Sequence, residues 1–222
     1  SGGCGSTYIV QLLTLNSVPR CFHEKTPDLL EIGLNHYEQS ISAGRLVRLL
    51  RYTRHDVFFE ANNRLFSLSR QIAEAFPNSV FVHLHRHAAD SVRSSMSKQS
   101  LEHDLKTNIR FQGSLAGSVV GNPFSRICHH WANMNRRIHE DLTMLQSAGR
   151  QVVSLRFKDL VSGKVDVVER LLGFPLANRT CPPVNVRPTR SSGKFPRYPE
   201  WSPQQRDTFE SICGPVMGLL GQ

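Results

Sequence analysis

The chain has 222 residues, 39% of them hydrophobic and 20% charged, which excludes a disordered or fibrous protein and allows one sizeable core. Its formal net charge of +9 indicates an anionic partner, which can be a nucleotide, a nucleic acid, an acidic glycan or an acidic lipid surface. The five cysteines are scattered, which argues against a disulfide framework or a zinc site, and no stretch is apolar enough to span a membrane.

The first part of the chain predicts loops and helices around one short strand. In chain order these are a glycine-rich loop at 1–8 that runs into a helix, a loop at 18–28, a helix at 29–50, a strand at 57–60 and an amphipathic helix at 65–76. The strand that should feed the first loop is missing from the sequence, so we expect the natural protein to extend further upstream.

The second part alternates strands with helices. It predicts a strand at 80–85, a helix at 88–98, a polar insertion or lid at 99–125, a helix at 124–145, a strand at 151–157, a helix at 165–172, a basic irregular loop at 179–200 and a final helix from about 201. This alternation implies an α/β fold with a mainly parallel central sheet and helices on both faces. Residues 1–222 are expected to form a single domain.

A glycine-rich loop opens the chain and leads directly into the first helix. Its residues are Gly2, Gly3, Cys4, Gly5, Ser6 and Thr7. In parallel sheets such loops let backbone N–H groups approach a phosphate at a helix N-terminus. The lysine of nucleotide-triphosphate loops is absent, and a plain turn before a helix explains the loop equally well when it is taken alone.

A second candidate phosphate element follows the predicted strand 80–85. Arg86 comes directly after this strand, and Ser94 follows eight positions later, about 12 Å along a helix that begins after Arg86. The strand end and the helix can therefore hold one phosphate from two sides. A single arginine in this place is more often a surface or salt-bridge residue. Arg86 therefore indicates a phosphate site only in combination with the glycine-rich loop.

Together these segments resemble the sulfotransferase family, and the similarity is collinear across nearly the whole chain. The loop ending at Tyr8 looks like the family's 5′-phosphosulfate loop, and residues 76–86 with Ser94 look like its 3′-phosphate strand and helix. Residues 155–160 (LRFKDL) are similar to the family's Arg-Tyr-Glu-Asp-Leu segment, and residues 190–194 (RSSGK) resemble its last cofactor loop.

The resemblance implies a P-loop nucleotide-binding, sulfotransferase-like fold and a transferase of sulfuryl groups. The donor would be 3′-phosphoadenosine 5′-phosphosulfate (PAPS), and the acceptor a hydroxyl on a carbohydrate or small metabolite, with no metal and no nucleic acid involved. A cytoplasmic location is expected. The resemblance assigns nucleotide binding to Gly3, Cys4, Gly5, Ser6, Thr7, Tyr8, Arg86, Ser94, Arg190, Ser192, Gly193 and Lys194.

The chain departs from the family pattern at the loop. Gly3 stands where the family usually has Lys or Arg, Cys4 takes the usual serine position, and His87-Ala88 replaces Asp-Pro. The missing cation normally stabilises charge on the leaving oxygen. Its loss affects turnover more than binding, so a degenerate member that binds a nucleotide or an acidic glycan stays an alternative. A P-loop kinase is a weaker alternative, because the loop lysine is absent.

The candidate catalytic residues are His23, Glu24 and Lys25, in the loop predicted at 18–28. The acceptor must lose a proton during sulfuryl transfer, and a Glu or His within hydrogen-bond reach can take it. Lys25 can restore the positive charge that Gly3 lacks. A solvated loop of mixed charge explains the same three residues.

Several other residues have two interpretations. His83, His85 and His87 alternate along a strand and can share a face, for which we favour a structural role over a metal site. Residues 60–64 (EANNR) are expected either to contact the acceptor or the sulfate or to form a simple turn with an Asn helix cap. The aromatic residues predicted to be core rather than adenine platforms are Phe58, Phe59, Trp131 and Phe157. Acceptor specificity would reside in 29–56 and 99–125.

Overall fold

The computed structural model describes residues 5–23, 59–62, 65–97, 122–181 and 195–222. The helices in these ranges are α1 (Ser6–Leu15), α2 (Ser69–Ala75), α3 (Ala88–Ser97), α4 (Pro123–Ser147), α5 (Phe157–Val161), α6 (Asp166–Leu172) and α7 (Pro203–Leu219), with 3-10 turns at Leu65–Leu68 and Tyr198–Glu200. The strands are β1 (Cys21–His23), β2 (Phe59–Ala61), β3 (Val80–His85) and β4 (Gln151–Arg156).

The described strands form two parallel pairs. β1 pairs with β2, and β3 pairs with β4 over six residues, from Val80 opposite Gln151 to His85 opposite Arg156. Parallel strands cannot be joined by a tight hairpin, so each pair needs a long crossover connection. The predicted parallel α/β fold is confirmed.

Helix α1 packs against both strand pairs. Its buried residues Tyr8, Leu12 and Leu13 share one apolar cluster with Leu155 of β4 and with the partly buried Phe59 of β2. Because one helix covers side chains from both pairs, its N-terminus is held at a fixed place relative to the strand ends.

A second core lies around Trp201, whose side chain is 2% exposed. The indole contacts four aromatic rings edge-on, with centroids 5.1 to 6.0 Å away, from Phe124, Phe195, Tyr198 and Phe209. Helices α3, α4 and α7 all contribute to this cluster, while Asn135 of α4 contacts His83 of β3. Helix α4 therefore covers the face on which His83 lies, while Leu84, which points to the opposite face, belongs to the apolar cluster of α1.

Most predicted bounds agree with the structure, because the sequence signals at these places are local. The strand predicted at 80–85 is confirmed. Ser202 begins α7 with a capping box to Gln205, and Gly173 closes α6 in a left-handed conformation with φ 79°. Trp131 is a core residue, as expected.

Several predicted bounds were wrong. The loop predicted at 18–28 contains strand β1, because Ser17 and Arg20 adopt positive φ and turn the chain so that the Arg20 carbonyl accepts a hydrogen bond from the Phe59 N–H. The helix predicted at 65–76 starts as a 3-10 turn. The predicted insertion ends before Asn122, which caps α4. Phe157 begins α5 and does not extend β4.

Some predicted segments lie wholly or partly outside the described residues. They include the helix predicted at 29–50, most of the insertion predicted at 99–125 and residues 182–194 of the basic loop predicted at 179–200. Among the helices that the structure describes, none has the length and apolar character needed to cross a bilayer.

Candidate active site

The N-terminus of α1 begins at a glycine in a left-handed conformation. Gly5 has φ 98° and ψ 12°, and no side chain caps the helix. The first N–H groups of a helix have no partner within the helix and point outward at its positive end. No acidic residue lies in the first turn of α1. This end of the helix is therefore suited to an anion that accepts hydrogen bonds from Ser6 and Thr7.

His23 lies directly against this helix end. Its Nε2 atom is 2.8 Å from the Ser6 hydroxyl oxygen and 3.3 Å from the Thr7 hydroxyl oxygen. His23 is the last residue of β1, so it sits at the carboxyl end of a parallel strand, where ligands of α/β folds bind. The structure thus brings together His23 and the first two residues of α1.

The neighbouring strand ends beside His23. Ala61 is the register partner of His23, and Glu60 is the partner of Phe22. The first residues of the predicted acceptor segment 60–64 therefore lie next to the β1 end, whereas 63–64 fall outside the described ranges.

Phe157 joins the two predicted phosphate elements. A Cβ atom added to Gly5 would clash with the Phe157 ring, and the Tyr8 ring meets the same ring edge-on with centroids 5.6 Å apart. The Arg86 guanidinium carbon lies 5.6 Å from the centroid of that ring, within the range of a cation–π contact. Gly5 and Arg86 are therefore separated by little more than one aromatic side chain.

Phe157 was assigned only to the core from the sequence, but strand register could have found its role. His85 and Arg156 are the last paired residues of β3 and β4. The residues that follow them, Arg86 and Phe157, must therefore leave the sheet side by side. A partly buried aromatic at this point fixes the position of the arginine.

Arg86 also contacts an acidic neighbour. Its Nε atom is 3.8 Å from the Asp90 carboxylate, and the two side chains are 28% and 57% exposed. Ion pairs this open to water contribute little, so a phosphate that carries more charge can displace the carboxylate. Ser94 lies one turn after Asp90 on α3, which puts both on the same face of the helix.

Eight predicted site residues lie outside the described ranges. These are Gly3, Cys4, Glu24, Lys25, Arg190, Ser192, Gly193 and Lys194. The described residues on either side of 182–194 contact both phosphate elements. The Tyr8 hydroxyl accepts a hydrogen bond from the Cys181 N–H at 3.2 Å, while Phe195 accepts one from Arg93 at 3.0 Å and donates one to Ser97 at 3.0 Å.

The strand histidines have protein partners. His83 lies 3.3 Å from the Asn135 carboxamide oxygen, and His85 lies 3.1 Å from the Ser154 hydroxyl. Burial lowers the pKa of His83, and the charge on the neighbouring His85 ring lowers it further, to about 4. Within the described part of the chain no three His, Cys, Asp or Glu side chains are grouped to hold a metal ion.

A cleft of about 320 Å³ opens at the carboxyl end of β4. It is lined by His85 and by charged residues of α5 and α6. Asp159 pairs there with Arg156 at 2.7 Å and with Lys164 at 3.8 Å. Asp159, Arg156 and Lys164 therefore form ion pairs with one another within this cleft.

Comparison with known families decides between the transferase and the kinase. The model of the sulfotransferase family matches residues 16–175. The chain belongs to the sulfotransferase family. The match includes His23, Arg86, Ser94 and Phe157, so most of this sulfotransferase site lies inside the matched region. No curated protein and no solved structure matches the chain.

The family defines the chemistry in general terms, the transfer of a sulfuryl group to an acceptor. In this sulfotransferase, the N-terminus of α1 and Arg86 meet at the Phe157 ring, and the His23 imidazole lies beside Ser6 and Thr7 at the same helix end.

Proposed function

We propose that this sulfotransferase uses PAPS as its donor. Gly5, Ser6 and Thr7 bind the 5′-phosphosulfate, while Arg86 and Ser94 bind the 3′-phosphate. The acceptor is a hydroxyl group on a carbohydrate or a small metabolite.

The observation that carries the proposal is the shared contact of Gly5 and Arg86 with Phe157. PAPS bears its two anionic groups on opposite sides of one ribose, so their binding elements must lie within the width of a nucleoside. The two elements are 81 positions apart in the sequence, between residues 5 and 86, and packing on one ring gives them the required proximity. Gly5 permits this packing, because it has a positive φ that other residues rarely adopt and no side chain that would meet the Phe157 ring.

The transfer moves the sulfuryl group between two oxygens. The acceptor oxygen forms a bond to sulfur while the bond from sulfur to the 5′-phosphate oxygen breaks, which leaves 3′-phosphoadenosine 5′-phosphate (PAP). The acceptor proton must go to a base. We propose His23 for this role, and support comes from its Nε2 atom, which lies 2.8 Å from the Ser6 hydroxyl oxygen at the helix end. Glu24 and Lys25 stay candidates from the sequence.

Residues 190–194 are proposed to contact the nucleotide. Support comes from the ends of the intervening segment, because Cys181 is bonded to Tyr8 of α1 and Phe195 is bonded to α3. The two ends of the segment are thus bonded to the two proposed phosphate elements, which supports a contact of residues 190–194 with the ligand that joins these elements. Arg190 and Lys194 would add positive charge there.

A second candidate function is nucleotide binding without turnover. It is favoured by Gly3, which stands where a cation would stabilise the leaving oxygen. Both functions require the same PAP site, so they differ only in whether product forms.

Calorimetry with PAP and with 5′-AMP, which lacks the 3′-phosphate, tests the donor assignment. Arg86→Ala should weaken PAP binding by about 1.5–3 kcal/mol, roughly tenfold to a hundredfold, and leave 5′-AMP binding nearly unchanged. The matched control is Arg150→Ala, because Arg150 precedes β4 and bonds Pro77, about 20 Å away at the other end of the strands. Equal losses for both ligands would remove Arg86 from the 3′-phosphate site.

A further inference from the structure

One side-chain amide holds the turn that carries Arg86. The Gln222 Oε1 atom accepts a hydrogen bond from the Ala88 N–H at 3.2 Å. Its Nε2 atom donates to the Arg86 carbonyl at 3.3 Å and to Nδ1 of His85 at 2.7 Å. An amide nitrogen has two hydrogens to donate and the amide oxygen can accept, so all three bonds form at once.

Each of these bonds fixes a different part of the turn from β3 to α3. His85 is the last residue of β3, Arg86 follows it, and Ala88 is the first residue of α3. The N–H groups in the first turn of a helix have no acceptor within the helix, and Ala88 is fully buried. Gln222 therefore supplies the acceptor that this buried N–H requires.

The His85 ring can accept the hydrogen bond from Gln222 because burial keeps the ring neutral and Ser154 holds its other nitrogen. It is 3% exposed, and its Nε2 atom lies 3.1 Å from the Ser154 hydroxyl. Burial lowers the pKa of His85, and the charge of Arg156 lowers it further, while Asp159 opposes them. The neutral ring can donate from Nε2 to Ser154 and accept at Nδ1 from Gln222.

We propose that Gln222 is a positioning residue for the 3′-phosphate site, which sets the direction of Arg86 by bonding the Arg86 carbonyl, the Ala88 N–H after it and the His85 ring before it. This inference rests on the proposed function, in which Arg86 binds the 3′-phosphate. The guanidinium of Arg86 has a contact of its own: its Cζ atom lies 5.6 Å from the centroid of the Phe157 ring. Without Gln222, the Arg86 carbonyl, the Ala88 N–H and the His85 ring lose these three hydrogen bonds, and the turn no longer fixes Arg86 relative to α3, the helix that carries Ser94.

The test replaces Gln222 by methionine, which has nearly the same shape and makes none of the three bonds. The measured quantity is the ratio of the PAP and 5′-AMP dissociation constants by calorimetry on the full chain. Gln222→Met should lower the preference for PAP roughly fivefold to tenfold, the effect of one or two lost hydrogen bonds, with 5′-AMP binding little changed. The matched control is Gln146→Met, since Gln146 is exposed on α4.

A purely structural role would weaken both ligands equally or lower only the melting temperature, and either result would overturn the inference. If Gln222→Met does not fold, Gln222→Glu keeps the acceptor for Ala88, loses both donors and should still lower the preference. If Arg86→Ala abolishes the preference and the Gln222 variants keep it, the inference fails while the proposed function stands. If the wild-type protein has no preference for PAP, the proposed function fails, and the inference fails with it.

Discussion

Gly5→Ala tests the packing that brings the two phosphate elements together. Gly5 has φ 98°, where an L-residue is strained by roughly 1–2 kcal/mol. The added methyl group would also meet the Phe157 ring, and overpacking of this kind costs roughly 1–3 kcal/mol. The free energy of unfolding should therefore fall by roughly 2–5 kcal/mol in total.

Gly173→Ala is the matched control, because Gly173 has φ 79° and a Cβ atom there meets nothing within 4 Å. Urea unfolding of both variants separates strain from collision, provided that the m-value is unchanged. Gly5→Ala should cost about 1–3 kcal/mol more than Gly173→Ala, and this excess should disappear in a Phe157→Leu background. Equal costs at the two glycines would refute the packing of Gly5 on Phe157.

Other predictions follow from single residues. His23→Ala should lower the rate of sulfuryl transfer about a hundredfold with little change in PAP affinity; an unchanged rate would exclude His23 as the base. Gly3→Lys should raise the transfer rate more than PAP affinity; activity gained only in this variant would identify the wild type as a binder. Trp201→Ala should destabilise the fold by about 3–5 kcal/mol in urea unfolding; a loss below 1 kcal/mol would contradict its core position. The pKa of His83 falls from 6.5 to about 4 on folding, so the unfolded chain binds more protons between these pH values. Stability should therefore drop by up to about 3 kcal/mol as pH falls through this window, and His83→Gln should remove that part; an unchanged pH profile would contradict it.

The sequence predicted the elements whose signals are local. The strand 80–85 is a compact apolar run after Pro77 and Asn78, and α7 begins at a Ser-Pro pair with a glutamine three residues later. Both patterns operate within one turn or one strand. Arg86 was identified on the same basis, by its place directly after a strand.

The sequence did not predict the features that depend on distant contacts. β1 has three residues, and its partner β2 begins at Phe59, so no local pattern marks Cys21–His23 as a strand. The positive φ of Ser17 and Arg20 is also unexpected, because residues other than glycine rarely adopt it. The contact of Gln222 with the Arg86 turn joins positions 136 residues apart, which no motif within one sequence records.

The proposed function requires that the site binds a nucleotide with a 3′-phosphate. Its most direct test is the melting temperature of the full chain with increasing PAP or with increasing ATP and magnesium. A ligand that binds only the folded state stabilises it by RT ln(1 + [L]/Kd), so the tighter ligand gives the larger shift at equal concentration. PAP should give the larger rise in melting temperature, and Arg86→Ala should reduce it; a rise with ATP that equals or exceeds the rise with PAP would contradict the proposed 3′-phosphate site.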